Sequence, residues 1–276
     1  MISLSRKAVS SVKTSTLLII KIEIIKFLKR KDIIAILGIV AIGFIYALRM
    51  DETYVGTKNQ SAIFWVVLQL LNTTALFIGP VIMSFIGTQM LSSEIDNNSI
   101  LLFNSRYRNR EKMYYGKSIS LVIISTLIFL ISVGVLFVIY FFVIPDSNTI
   151  YVTGKVFGNN TPDLVCTLFM IYVYTFFFFP QLSLFLGVRF KPMITIVLSF
   201  CVTLFCNNVA TFSIIKYFNP MTYVVRLADK VSTTTDIVNV NNSERLFYVI
   251  GQLTLSLALC LMFDILGAKR FKEKDL

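Results

Sequence analysis

The stretch SSEIDNNSILLFNSRYRNREKMYYGK, residues 92–117, is the longest conspicuously charged run between two strongly apolar parts of the chain. Runs long enough to cross a bilayer, about 20 residues each, flank it at 61–89 and 118–143. The stretch therefore reads as a solvated connection between two membrane spans. It also holds a small apolar patch of its own, Ile100, Leu101, Leu102 and Phe103. A solvated linker needs no such patch, whereas a docking surface does.

Working outward, further apolar runs lie near 33–49, 163–188, 193–215 and 246–267, which predicts six transmembrane helices. Composition agrees. Hydrophobic residues make up 56% of the 276 residues, and the mean hydropathy is +0.76; soluble domains run at about 45–50% apolar even counting glycine. The expected fold is an all-α membrane protein, one transmembrane domain spanning 1–276. No cleavable signal peptide is expected, because basic groups run through the first 31 residues and no short apolar core precedes a small-residue cleavage site.

The net charge of +11 is a matter of sidedness. Placing the N-terminus inside puts 19 of the 26 basic residues in the inner segments: before Asp32, in 94–117, at Arg189 and Lys191, and after Leu266. Lys and Arg mark the cytoplasmic side, so both termini are expected there. With this distribution the charge does not argue for nucleic acid, and none is expected as a partner. Cys166, Cys201, Cys206 and Cys260 all fall within predicted spans and read as reduced packing residues.

Residues 17–31 predict an amphipathic helix lying on the membrane. Leu17, Ile20, Ile24, Phe27 and Leu28 recur at helical spacing, with Glu23, Lys26 and Arg30 opposite. Such a helix buries its apolar face among membrane lipids, and its cations favour anionic headgroups. The outer loop at 144–162 is rich in turn formers. The region 216–245 carries apolar residues without the length to span, and NPMTYVVRLAD predicts a short helix or re-entrant hairpin with Pro220 at its first position.

Catalytic chemistry is thinly represented. The chain has no histidine, which removes His-based acid–base catalysis, His–metal sites and Ser-His-Asp triads. No G-x-x-x-x-G-K-[ST] phosphate loop occurs, so no enzyme activity or cofactor is expected in this chain, and any ATP it runs on must be hydrolysed by another. Asp264 is the one carboxylate clearly inside a predicted span; pairing with Lys269 or Arg270 is the expectation, against a functional role. Asn72, Thr73, Gln181, Asn207 and Asn208 are candidate pathway residues, with helix–helix hydrogen bonds as the plainer use. In YVYTFFFFPQL, residues 172–182, four consecutive phenylalanines cover every side of a helix, and Pro180 predicts a kink.

Within 92–117, Glu94 and Asp96 open a predicted short helix, the apolar patch follows, then Arg106, and Gly116-Lys117 leads into the next span. This order resembles the ABC-2 type permeases, the membrane subunits of one class of ATP-binding cassette exporters. The N-terminal interfacial helix, six spans, FNPMTYVVRL before the last span and the basic tail AKRFKEKDL are similar too, so the resemblance covers nearly the whole chain. It implies a type V exporter-like architecture in a bacterial cytoplasmic membrane. It implies also two cytosolic ATPase subunits carrying ATP and Mg, and a second permease, identical or homologous. Glu94, Asp96, Ile100, Leu101, Leu102, Phe103 and Arg106 would then form the coupling segment. Uncharged, aromatic-rich spans suit an amphipathic or hydrophobic cargo, a peptide or antibiotic exported for secretion or self-immunity. The alternatives are a secondary transporter or channel needing no ATPase, and a membrane-embedded assembly factor.

Overall fold

The computed structural model describes residues 16–30, 61–71, 78–100, 109–143, 155–158, 161–210, 216–233 and 241–274, together with Ala41 and Ile45. They include eight helices of eight or more residues: α1 (Thr16–Lys29), α2 (Ala62–Gln69), α3 (Gly79–Asp96), α4 (Arg110–Phe142), α5 (Thr161–Gly187), α6 (Pro192–Val209), α7 (Pro220–Thr233) and α8 (Asn242–Glu273). Among the described residues, α4, α5, α6 and α8 are long and apolar enough to cross a membrane. The predicted span 61–89 corresponds to α2 and α3, with 72–77 outside the described residues. Nearly all of the predicted span 33–49 also lies outside them.

Local chemistry sets the helix ends. The Asn109 side chain caps α4 by accepting from the Lys112 N–H at 3.2 Å, and Glu111 sits in the first turn where a carboxylate meets the positive end of the helix dipole. Arg270 and Lys272 fall in the last turn of α8, where cations are favoured. Helix α7 begins at Pro220, as the sequence predicts, and Asn219 Oδ1 accepts from the Met221 N–H at 3.1 Å.

The helix is irregular just before Pro180. Residues Tyr172–Phe178 of α5 form a π-helical turn, and α winding resumes at Phe179, beside the ring that lacks an N–H. Gln252 of α8 donates its Nε2 to the Met170 carbonyl at 2.8 Å, just before that turn. Phe176, Phe178 and Phe179 are buried and Phe177 is half-buried, so the run serves chiefly as packing.

The spans meet through small residues. Helices α3 and α5 run parallel, with Gly87 against Ser183 and Ser92 against Gly187; a Cβ at Gly87 would stand 2.0 Å from Ser183 Oγ and 2.8 Å from the Pro180 carbonyl. Ser92 Oγ donates to the Phe190 carbonyl at 2.8 Å. Close backbone approach is how helices associate where lipid removes the hydrophobic drive between them. Buried hydroxyls such as Thr88, Ser132, Ser199 and Thr203 bond to the carbonyl four residues back on their own helix.

The chain reverses at its connections, so two ends are distinct. One end gathers Lys26 and Arg30, Glu94, Lys117, and the tail, where Lys274 Nζ donates to the Val188 carbonyl at 2.6 Å. The other gathers Ala62, whose N–H meets the Lys155 carbonyl at 2.9 Å, the Trp65–Tyr140 ring pair and the Asp163–Arg245 ion pair at 2.6 Å. Between them, exposed Ile123, Leu127, Leu130, Val197, Phe205, Leu257 and Leu261 give the flanks an apolar surface suited to lipid.

Candidate functional site: a buried ionic knot joining three helices

Helix α1 carries Ile19, Glu23 and Phe27 on one stripe, four residues apart, and all three are buried. The crossing with α4 is close because Gly116 lies opposite Ile19; a Cβ there would stand 2.8 Å from Ile19 Cγ2. That approach delivers Glu23 to the next residue of α4, Lys117. The end of α3 brings Glu94 to the same point.

Lys117 is 1% exposed and its three N–H donors meet three acceptors: Glu94 Oε2 at 2.8 Å, Glu23 Oε1 at 2.9 Å and the Met90 carbonyl at 2.8 Å. Glu94 Oε1 accepts from Lys26 Nζ at 3.0 Å and Arg30 Nη2 at 3.1 Å; Lys26 also reaches Glu23 Oε1 at 3.2 Å. Arg30 Nη1 closes the arrangement on the Gln89 carbonyl at 3.1 Å. Buried charges are tolerable only when paired and hydrogen-bonded, and these are both. Burial pushes the Glu94 carboxyl up, but Lys117 and Lys26 together hold it below the ordinary glutamate value. Three separate segments, α1, α3 and α4, are thereby fastened at one point, which includes Glu94 and Lys117 from near the two ends of 92–117.

The family model described as ABC-2 family transporter protein matches residues 19–216. The chain belongs to the ABC-2 transporter family. No curated protein and no solved structure matches it. The matched region includes all five charged residues of the knot, so this is an ABC transporter permease, a multi-pass membrane protein, whose knot lies within the family's own part of the chain.

The permease places its predicted coupling residues on two levels. Asp96 is exposed at the end of α3; Asn98 follows in the left-handed region at φ 56°, and Ile100 is fully buried in the chain's own core. Glu94 is turned inward to the knot. Leu101, Leu102, Phe103 and Arg106 lie outside the described residues. On α1, Leu17 and Leu28 are exposed and Ile20 and Ile24 half-buried, but Phe27, expected on the lipid face, packs into the protein. Lys26 and Arg30, expected to attract lipid headgroups, instead engage Glu94.

Among the described residues, the predicted pathway residue Gln181 is not brought together with Asn207 and Asn208. Gln181 is buried near the knot end, where its Nε2 donates to the Ser118 carbonyl at 3.2 Å. Asn207 and Asn208 lie at the far end of α6; Asn208 is exposed, with its Nδ2 on the Leu204 carbonyl at 2.8 Å. Asn72 and Thr73 fall outside the described residues. Asp264 corrects a local expectation: its partner is Ser118 Oγ at 2.9 Å, and the Arg270 guanidinium lies over the Phe185 ring at 5.3 Å. Five or six residues along a helix do not return to the same face, which is why Lys269 and Arg270 were poor candidates.

Sequence reasoning missed Glu23 as a ligand of Lys117, 94 positions away. The available signal was its isolation, an acid flanked by isoleucines in IIKIEIIKF. Among the described residues no group of three His, Cys, Asp or Glu side chains could hold a metal ion.

Proposed function

We propose that this permease is the membrane half of an ATP-driven exporter. It has six spans with both termini cytoplasmic, and it pairs with a second permease and two cytosolic ATPase subunits that bind ATP and Mg. The cargo is amphipathic or hydrophobic, a peptide or antibiotic class of molecule, moved out of a bacterial cytoplasm or inner leaflet. The observation that carries the reading, beyond family membership, is the knot: Glu94 pairs with Lys26 and Lys117 with Glu23, so both ends of the polar stretch are fastened to α1. A force applied to residues 95–116 by a docked ATPase would enter α3, α4 and the interfacial helix as one body, which is what a two-state switch in the spans needs. Nucleotide acts only by favouring one state over the other.

The test begins with mild-detergent purification from the native host, native mass determination and an ATPase assay. A two-permease, two-ATPase assembly is expected. Replacing Leu101 and Phe103 with Asp puts charge into the docking contact and should release the ATPase while leaving membrane insertion intact. A lone oligomer without ATPase, transporting on an ion gradient, would instead support the secondary-transporter reading.

A further inference from the structure

Helices α4 and α8 run antiparallel along a seam where Tyr114 packs on Gly267 and, one turn on, Ser118 meets Asp264. The two Asp264 oxygens lie 2.9 and 3.1 Å from Ser118 Oγ, its one hydrogen-bond partner among the described residues. The same Oγ lies 3.1 Å from Gln181 Oε1, while Gln181 Nε2 donates to the Ser118 carbonyl. That second contact sets the amide's orientation, since a carbonyl can only accept.

A serine hydroxyl has one hydrogen. With Asp264 ionised, that hydrogen cannot serve both the carboxylate and Gln181 Oε1, so among the described residues the group is one donor short. A turn away on the same face of α4, the Tyr114 hydroxyl is fully buried and has no hydrogen-bond partner among the described residues. The neighbouring cation Lys117 faces away, into the knot. On the outer side of α8, Leu261 and Ile265 are each 60% exposed, and Met262 is 44% exposed. Asp264 is itself half-buried beside them. Lys269 stands five residues further on, roughly 7.5 Å along the helix, which sets the carboxylate just below headgroup depth.

We infer that Asp264, Ser118, Gln181 and Tyr114 form a site for one cationic N–H donor, the primary ammonium of an amphiphile whose apolar tail lies on Leu261 and Ile265. The ammonium supplies the missing donor and neutralises the carboxylate. It comes either from a cationic cargo, in which case the site rests on the exporter reading and names the cargo's head group, or from an aminolipid.

The experiment uses the full-length permease in phosphatidylcholine nanodiscs, without ATPase, and dansylcadaverine as the fluorescent primary amine. Saturable binding is expected, and the analogue bearing a hydroxyl in place of the amine should not compete. Asp264→Asn should weaken binding about tenfold or more, the loss of a charged hydrogen bond. Lys269→Gln, a charge change at an exposed position of the same helix outside the site, should keep binding, and a monodisperse Asp264→Asn protein guards against a folding defect. Equal affinity in a monodisperse Asp264→Asn protein, or equal binding of the hydroxyl analogue, overturns the site, as does a loss in Lys269→Gln equal to that in Asp264→Asn. Adding phosphatidylethanolamine separates the sources: competition assigns the ammonium to lipid, and its absence assigns it to cargo. Because the ATPase is not present, failure here leaves the exporter reading to its own assembly test.

Discussion

Lys117 Nζ stands 2.8 Å from Glu94 Oε2 and 2.9 Å from Glu23 Oε1, so one ammonium joins carboxylates from two other helices. Removing it leaves both carboxylates in a site where Glu23 is 3% and Glu94 5% exposed. Lys117→Met should therefore cost about 3–5 kcal/mol, the range for breaking a buried pair from one side. Arg30 is 29% exposed and shares its Glu94 oxygen with Lys26, so Arg30→Ala should cost about 1 kcal/mol or less. Unfolding of the two variants in SDS, compared with the parent, checks the contrast; equal losses would mean the knot is solvated.

The knot also carries a pH signature. The folded-state value of Glu94 is depressed by Lys117 and Lys26 against the opposing effect of burial. A depressed carboxyl contributes stability that is fully present above its unfolded-state value and is lost as pH falls through the folded-state value. The permease should accordingly hold its melting temperature through neutral pH and lose it on acidification below the ordinary glutamate range. Glu94→Gln should start lower and show a shallower acid limb. A parallel acid limb in the variant would remove Glu94 as its source.

How much of this was legible in the chain depends on the range of the interaction. The apolar runs of α4 and α8 and the Asn219-Pro220 start of α7 are local signals, and the structure places helices there. The polar face of α1 was legible as a face but not in its partner. From one sequence, Glu23, Lys26 and Arg30 read as water- or headgroup-facing, because the groups that draw them inward are distant: Lys117 lies 94 positions from Glu23, and Glu94 lies 68 from Lys26. Gln181 was singled out as polar and buried, yet its contact with Ser118 depends on the α4–α5 packing, which periodicity does not encode. Asp264 was misassigned to Lys269 or Arg270 by proximity in sequence, where the helical angle argued otherwise.

Glycine positions offer a steric test of the α3–α5 seam. A Cβ at Gly87 meets Ser183 Oγ and, behind it, the Pro180 backbone carbonyl, so the neighbour cannot simply rotate away. Gly87→Ala should destabilise by about 1–3 kcal/mol, as overpacking does. A Cβ at Gly134 on α4 meets nothing within 4 Å, so Gly134→Ala should be neutral or gain up to about 1 kcal/mol from helix propensity. SDS unfolding of both variants reads the difference, and a neutral Gly87→Ala would place the seam further apart.

Sidedness follows from which residues share an end. Lys272 pairs with Glu111 at 3.0 Å at the knot end, whereas the Lys155 carbonyl accepts from Ala62 at the other. Cysteines introduced at these two lysines, in a chain with its native cysteines replaced by serine, should label from opposite sides of the membrane. A membrane-impermeant maleimide should reach Lys155→Cys in intact cells and Lys272→Cys only after permeabilisation, as the proposed orientation and the general bias of Lys and Arg to the cytoplasmic side require. Labelling of both from the same side would refute the alternation of α4, α5, α6 and α8, and the reverse pattern would refute the proposed orientation while leaving the knot in place.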